Sequence, residues 1–299
     1  MKQLAIIGPT ASGKSDLALA IAKQIDAYIL SIDSLSIYKE IDIVSAKPSH
    51  AELAQIKHFG IDVLYPDEYF SVDIFMTLYK EIISTCKKEN KNLLIVGGTS
   101  FYLKSLLQGL SPLPTISQET RLHVKMRLSN LYESYEFLKQ IDFEIAKEIT
   151  PNDSYRIEKM LLIYEASKMS PSEWFRQNPP KPIIEKLDIF NIEVQRELLK
   201  ERINKRTHKM LELGLIDEVA SLEQKYTRAP NSMGSIGIVE VLEYLDGKVS
   251  KEAMLENIST HTAQLAKRQQ TFNRTQFENI VHAPLEKLEK IILHKVQSS

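Results

Sequence analysis

Short apolar runs alternate with amphipathic stretches through the first hundred residues. "QLAIIG" (3–8) reads as a buried strand, and "DLALAIAKQI" (16–25) carries its apolar positions at helical spacing. "AYILSID" (27–33) is a second apolar run, ending in an aspartate. "SVDIFMTLYKEIISTCKKEN" (71–90) predicts a long amphipathic helix with a serine at its cap position. "NLLIVGG" (92–98) then reads as a third strand and "FYLKSLLQGL" (101–110) as a further helix. Such alternation predicts a parallel sheet with helices on both faces, whose ligands lie at the carboxyl ends of the strands.

The pattern changes after "GLSPLPTIS" (109–117). Residues 116–181 are almost wholly helical in period, and proline-rich stretches, "SPLP" and "NPPKP", bracket them. "KLDIFNIEV" (186–194) then resumes as a strand, and long helices with polar faces finish the chain. The expected class is α/β: a P-loop-containing parallel sheet flanked by helices, residues 1–115 plus 182–299, with an all-helical insertion over 116–181.

Composition narrows the chemistry. With 43% hydrophobic and 26% charged residues, the chain is an ordinary globular one. Cys86 is its only cysteine, which excludes an internal disulfide and a cysteine-cluster zinc site. The seven histidines show no paired spacing for a metal. No apolar run is long enough for a membrane helix or a signal peptide, so a cytoplasmic protein is expected. The net charge of −1 hides local asymmetry: "AKRQQTFNRT" (266–275) carries Lys267, Arg268 and Arg274 with no acid.

The stretch "GPTASGKS" (8–15) falls between the first strand and the first helix. A glycine, four residues and then Gly-Lys-Ser is the spacing of a phosphate-cradling loop. Amides from Gly8, Pro9 (which lacks the N–H), Thr10, Ala11, Ser12 and Gly13 onward would surround an anion. Lys14 adds a full charge, and the Ser15 hydroxyl suits Mg²⁺. Most nucleotide hydrolases follow a later strand with an acid, but here that strand ends "IVGGTS" without a carboxylate. Asp33 is the one carboxylate at a strand end beside the loop. It is either a cap on the next turn or a general base toward a substrate beside the phosphate. A small-molecule kinase and other transfers from a phosphate-bearing donor both remain open at this point.

Six stretches in order carry a resemblance: "GPTASGKS", "DSLSIYKEIDIVSAKP", "VGGTSFYLKSLLQGL", "PNDSYRIEKML", "RINKRTHKMLELGLIDEV" and "AKRQQTFNR". Together they resemble the bacterial tRNA dimethylallyltransferase (IPP transferase) family from Ile6 to about Arg274. The resemblance implies transfer of a dimethylallyl group from dimethylallyl diphosphate to N6 of adenosine 37, in tRNAs that read codons starting with U. It implies Asp33 as base, Lys14 and Arg206 on the diphosphate, Thr10 and Thr99 beside the amine, and Mg²⁺ at Ser15. It further implies tRNA contacts at Ser34, Leu35, Ser36, Arg121, Tyr155, Arg156, Lys159, Lys267, Arg268, Gln269 and Arg274, in a monomer acting on an anticodon stem-loop. An adenylate prenyltransferase and a P-loop small-molecule kinase are the alternatives.

The chain departs from the family pattern in places. Glu40 and Val44 stand where glycine is usual. Tyr155 and Lys159 replace a glutamine and an arginine, and Leu162 a glutamate. Ile238 replaces an aromatic residue, Ala263 an arginine and Phe272 a tryptophan.

Overall fold

The computed structural model describes residues 1–298. The chain divides into two compact units, one of Met1–Leu106 with the chain from Glu185 onward, the other Leu107–Ile184.

The first unit is built on six parallel strands: β1 (Gln3–Ile7), β2 (Ala27–Ser31), β3 (His58–Phe59), β4 (Asn92–Gly97), β5 (Asp188–Glu193) and β6 (Val281–Pro284). Their order across the sheet is β3-β2-β4-β1-β5-β6. β1 lies between β4 and β5, pairing Ile6 with Val96 and with Phe190. Strands covered on both faces read as continuous apolar runs, and Leu4–Ile7 and Leu93–Val96 are buried throughout. Chain order turns back at β1, which places the ligand crevice at its carboxyl end.

Two strands lie outside the expected pattern. β3 has only two residues, His58 and Phe59, in register with Ile29 and Leu30; "NLLIVGG" is therefore the fourth strand of the chain and not the third. β6 follows the long helix Lys251–Gln276, so the carboxyl-terminal part is not all helical. Its Pro284 sits at the sheet edge, where the missing N–H costs no ladder bond.

The Lys14–Gln24 helix leaves the loop through Gly13, whose φ of 89° is a left-handed conformation that glycine adopts without strain. A Cβ there would also lie 2.9 Å from Leu285 Cδ2. Below the sheet, Leu17 and Ile21 of this helix share a core with Leu288 and Ile292 of the Leu285–Gln297 helix. A second core gathers Ile41, Val44, Val219, Ile238 and Ile258, beneath the loops described next. Ile238 is fully buried there, which gives an apolar residue at that departure a packing role.

The second unit is helical. Its helices are Gln118–Arg127, Leu131–Ile141, Phe143–Ala146, Ser154–Ser167 and Pro171–Gln177. Each opens on a side chain that accepts a backbone N–H: Ser117, Asn130, Asp142, Asp153 and Ser170. Buried Asp142 also accepts from the Ser172 amide at 2.6 Å and its hydroxyl at 2.8 Å, tying two of these helices together. Leu162 is buried in this unit's own core with Val124, Leu138 and Leu161, so the residue replacing a family glutamate is a packing residue.

Candidate active site

The three strand-end motifs meet in one crevice. A cavity of about 270 Å³ is lined by Thr10–Ser15, Asp33 and Gly97–Gly98, with Arg206 and Gln269 from two helices beyond the sheet. Lys14 folds its Nζ back onto the Pro9 carbonyl at 2.6 Å, and Ser12 Oγ lies 3.5 Å away. Burial pushes the Lys14 pKa down to about 7; the Asp33 carboxylate works against this and the Arg206 charge adds to it. Burial lowers the Arg206 pKa too, again opposed by Asp33. Two cations withdrawn from water around a single carboxylate form a site that an anion would relieve. Ser15 is exposed at the cavity wall.

Asp33 ends the β2 segment. Its Oδ1 accepts the Leu35 amide at 2.8 Å and the Ser36 amide at 3.2 Å, so the carboxylate does cap the next turn. That turn engages Oδ1. Asp33 nonetheless lines two cavities, the first and a second of about 290 Å³ that is bounded by Leu35, Val44, Met210 and Ile236. Thr10, Ser45, Arg206 and Gln269 are likewise common to both. Arg206 donates from Nη1 to Thr10 Oγ1 at 3.1 Å.

Gln269, which the motif suggested as a tRNA contact, is built into this partition. Its Oε1 accepts the Thr10 amide at 2.9 Å. Its Nε2 lies where a Cβ on Gly98 would come within 2.4 Å, so a side chain there would displace the Gln269 amide. Thr99, one residue on, lines neither cavity. Ser34 and Leu35 line the second cavity and Ser36 the first.

The remaining predicted contacts lie outside the crevice. Lys267, Arg268 and Arg274 are exposed on the helix that carries Gln269. Lys267 and Arg274 line, with Arg202 of the Arg196–Glu212 helix, an open groove of about 1090 Å³ at the end of β5. On the helical unit Arg121, Tyr155 and Arg156 are exposed, and Lys159 Nζ sits 5.4 Å from the Tyr155 ring centre. Two supporting residues were given no role by the sequence reading. Glu218 accepts three consecutive amides, Asp42 to Val44, and buried Glu240 accepts the Gly237 amide and faces His261 Nδ1 at 2.6 Å.

A phosphate-cradling loop after the central strand of a parallel sheet, with a carboxylate at the next strand end and a second cavity behind it, defines a P-loop α/β transferase site. The comparisons with known proteins narrow the class. The family model "IPP transferase" matches residues 36–276. The tRNA dimethylallyltransferase of Sulfurimonas denitrificans is 69% identical over 98% of this chain and 99% of its own; that of Helicobacter pylori is 42% identical over 99% and 95%. Among solved structures, the tRNA isopentenylpyrophosphate transferase of Bacillus halodurans is 27% identical with a TM-score of 0.72, covering 99% of this chain and 97% of that one. A eukaryotic dimethylallyltransferase crystallised acting on tRNA is 25% identical with a TM-score of 0.81, over 95% of this chain and 74% of its own. The chain belongs to the IPP transferase family.

Proposed function

We propose that this enzyme transfers the dimethylallyl group of dimethylallyl diphosphate to N6 of adenosine 37 in tRNAs that read codons starting with U. The observation that carries the mechanism is the set Thr10, Asp33, Arg206 and Gln269, common to the loop cavity and the cavity behind it. The donor's diphosphate would lie on the Gly8–Ser15 amides, with Lys14 swinging from the Pro9 carbonyl onto it and Arg206 beside it. The target base would leave its stack and enter from the second cavity. Then N6 forms a bond to the allylic carbon as the C–O bond to diphosphate breaks, and Asp33 takes the N6 proton. The electron pair leaves with diphosphate, which the two cations receive.

Among the described residues no group of three or more His, Cys, Asp or Glu side chains could hold a metal ion. A magnesium ion would instead be held by the Ser15 hydroxyl and the substrate's own phosphate oxygens, a donor set that Mg²⁺ favours, and would supply further neutralisation of the leaving group. The exposed Lys267, Arg268 and Arg274, with Arg121, Arg156, Tyr155 and Lys159 of the helical unit, would grip the anticodon stem. No helix among the described residues is long and apolar enough to cross a membrane; a cytoplasmic monomer accords with this reading. The test is mass analysis of nucleosides from tRNA incubated with enzyme and dimethylallyl diphosphate. Adenosine heavier by one isoprene unit is expected. Phosphorylated product, or transfer to free adenosine monophosphate alone, would overturn the assignment.

A further inference from the structure

The segment from Ile41 to Pro48 passes between the two cavities. Val44 and Ser45 line the second, and Ser45, Ala46, Lys47 and Pro48 the first. It is neither helix nor strand, yet it is fixed at two places. Lys47, with only 5% of its side chain exposed, donates to the Tyr38 carbonyl and to Asp42 and Asp62, each at 2.6 Å. The other fixture comes from outside the site. Glu218, on the Leu215–Tyr226 helix, accepts the amides of Asp42 at 3.0 Å, Ile43 at 2.8 Å and Val44 at 3.0 Å. Three successive N–H groups form a concavity for an anion, and here the anion is the protein's own carboxylate. Bonds to an ionised acceptor are the stronger kind, and losing the carboxylate would strand all three donors at once.

The loop's position gives this anchor a consequence for chemistry. The apolar lining of the first cavity comes from Ile29 and Val96 on strands, from Ala18 and Leu19 on the Lys14–Gln24 helix, from Ala11 and Ile61, and from Ala46 and Pro48 on this loop. The strands cannot yield, being fully paired within the sheet. The loop, outside any helix or strand, is a wall whose position depends on side-chain anchors. We propose that Glu218 is a positioning residue that sets the reach of the donor cavity, and so limits the length of allylic diphosphate the enzyme accepts. The inference rests on the reading that this cavity takes dimethylallyl diphosphate.

The experiment compares steady-state transfer to tRNA from dimethylallyl and from geranyl diphosphate by the parent, Glu218→Ala and Glu218→Gln. Freed of its anchor, the wall should yield. In Glu218→Ala the geranyl-to-dimethylallyl ratio of kcat/KM should rise by roughly tenfold, the scale on which an apolar pocket discriminates added carbons. KM for dimethylallyl diphosphate should rise while kcat changes little. Glu218→Gln, which keeps one acceptor oxygen, should fall between the two. Transfer by the parent reports on the functional reading, and the ratio alone reports on Glu218. A folded variant of either kind with the parent's ratio overturns the proposal. Should Glu218→Ala not fold, the Glu218→Gln ratio decides the matter by itself. Hydrogen exchange in the parent is a check independent of any variant: amides 42–44 should be protected, and fast exchange there overturns the anchor.

Discussion

Lys14→Met separates the cost of burying this lysine from its use. Burial brings the Lys14 pKa from 10.5 to about 7. At 1.36 kcal/mol per unit, that fall is about 5 kcal/mol spent on keeping a desolvated ammonium. The pH dependence has a definite sign. Below pH 7 the lysine is charged in both native and unfolded states, and the whole cost is present. Between pH 7 and 9 the native protein has released the proton while the unfolded chain holds it, so this group makes stability rise with pH. Two units amount to about 2–3 kcal/mol. Methionine has nothing to titrate, so its stability advantage over the parent should shrink by that amount between pH 6 and 9. Urea denaturation of both proteins at the two pH values measures this, and every other titrating group cancels in the comparison. Adding inorganic diphosphate should flatten the parent's dependence, because the bound anion restores the charge, and binding at pH 8 should take up a proton. Parallel curves for parent and variant across this range would refute the argument.

Three further outcomes are expected. Asp33→Asn keeps the Oδ1 that caps the Leu35 and Ser36 amides, so folding and donor binding should persist while single-turnover transfer slows by about 10²–10⁴-fold; a rate within threefold of the parent would reduce Asp33 to its turn. Glu40 holds a φ of 65° and pairs with Lys225 at 2.6 Å. Glu40→Gly should therefore be more stable than Glu40→Ala by about 1 kcal/mol, since both lose the pair and only alanine keeps the strain; equal melting behaviour would contradict this. Replacing Lys267, Arg268 and Arg274 together by alanine should flatten the slope of log affinity for an anticodon stem-loop against log salt by roughly 2, at 0.7–0.9 per phosphate contact; an unchanged slope would remove these side chains from the RNA surface.

Much of the architecture was legible because apolar runs and helical periods are local signals. β1, β2, β4 and β5 are runs of buried residues, and the Val72–Lys88 helix starts at the serine that the pattern marked, Ser71. β3 and β6 were not legible. The first is two residues long, and "VHAP" buries only Ala283, so neither has a period to read. The helix Lys251–Gln276 shows a different limit. Its residues Ala266 and Asn273 are buried and Gln269 faces the loop, a spacing of three and four, while Lys267, Arg268 and Arg274 face solvent. The family motif groups Gln269 with these basic residues as tRNA contacts, and helical geometry turns it to the opposite face, toward the loop. Glu218 was hidden for another reason. What it accepts are backbone amides 176 to 174 residues away, and an amide has no residue type.

Asp33 shows why two readings of one residue need not compete. From sequence, a carboxylate at a strand end is either a turn cap or a base. Here the cap is what would make the base usable. Two amides on Oδ1 fix the carboxyl group against the β2 end, so no side-chain freedom need be lost when the substrate arrives. Arg206 and Lys14, on both of which that carboxylate acts, are held in turn by Thr10 and by the Pro9 carbonyl. Gln269 on the Thr10 amide closes the set. The reacting groups are thus positioned by contacts among the segments after β1 and β2 and two helices. Removing the Asp33 charge while keeping its oxygen should then cost rate without costing the fold.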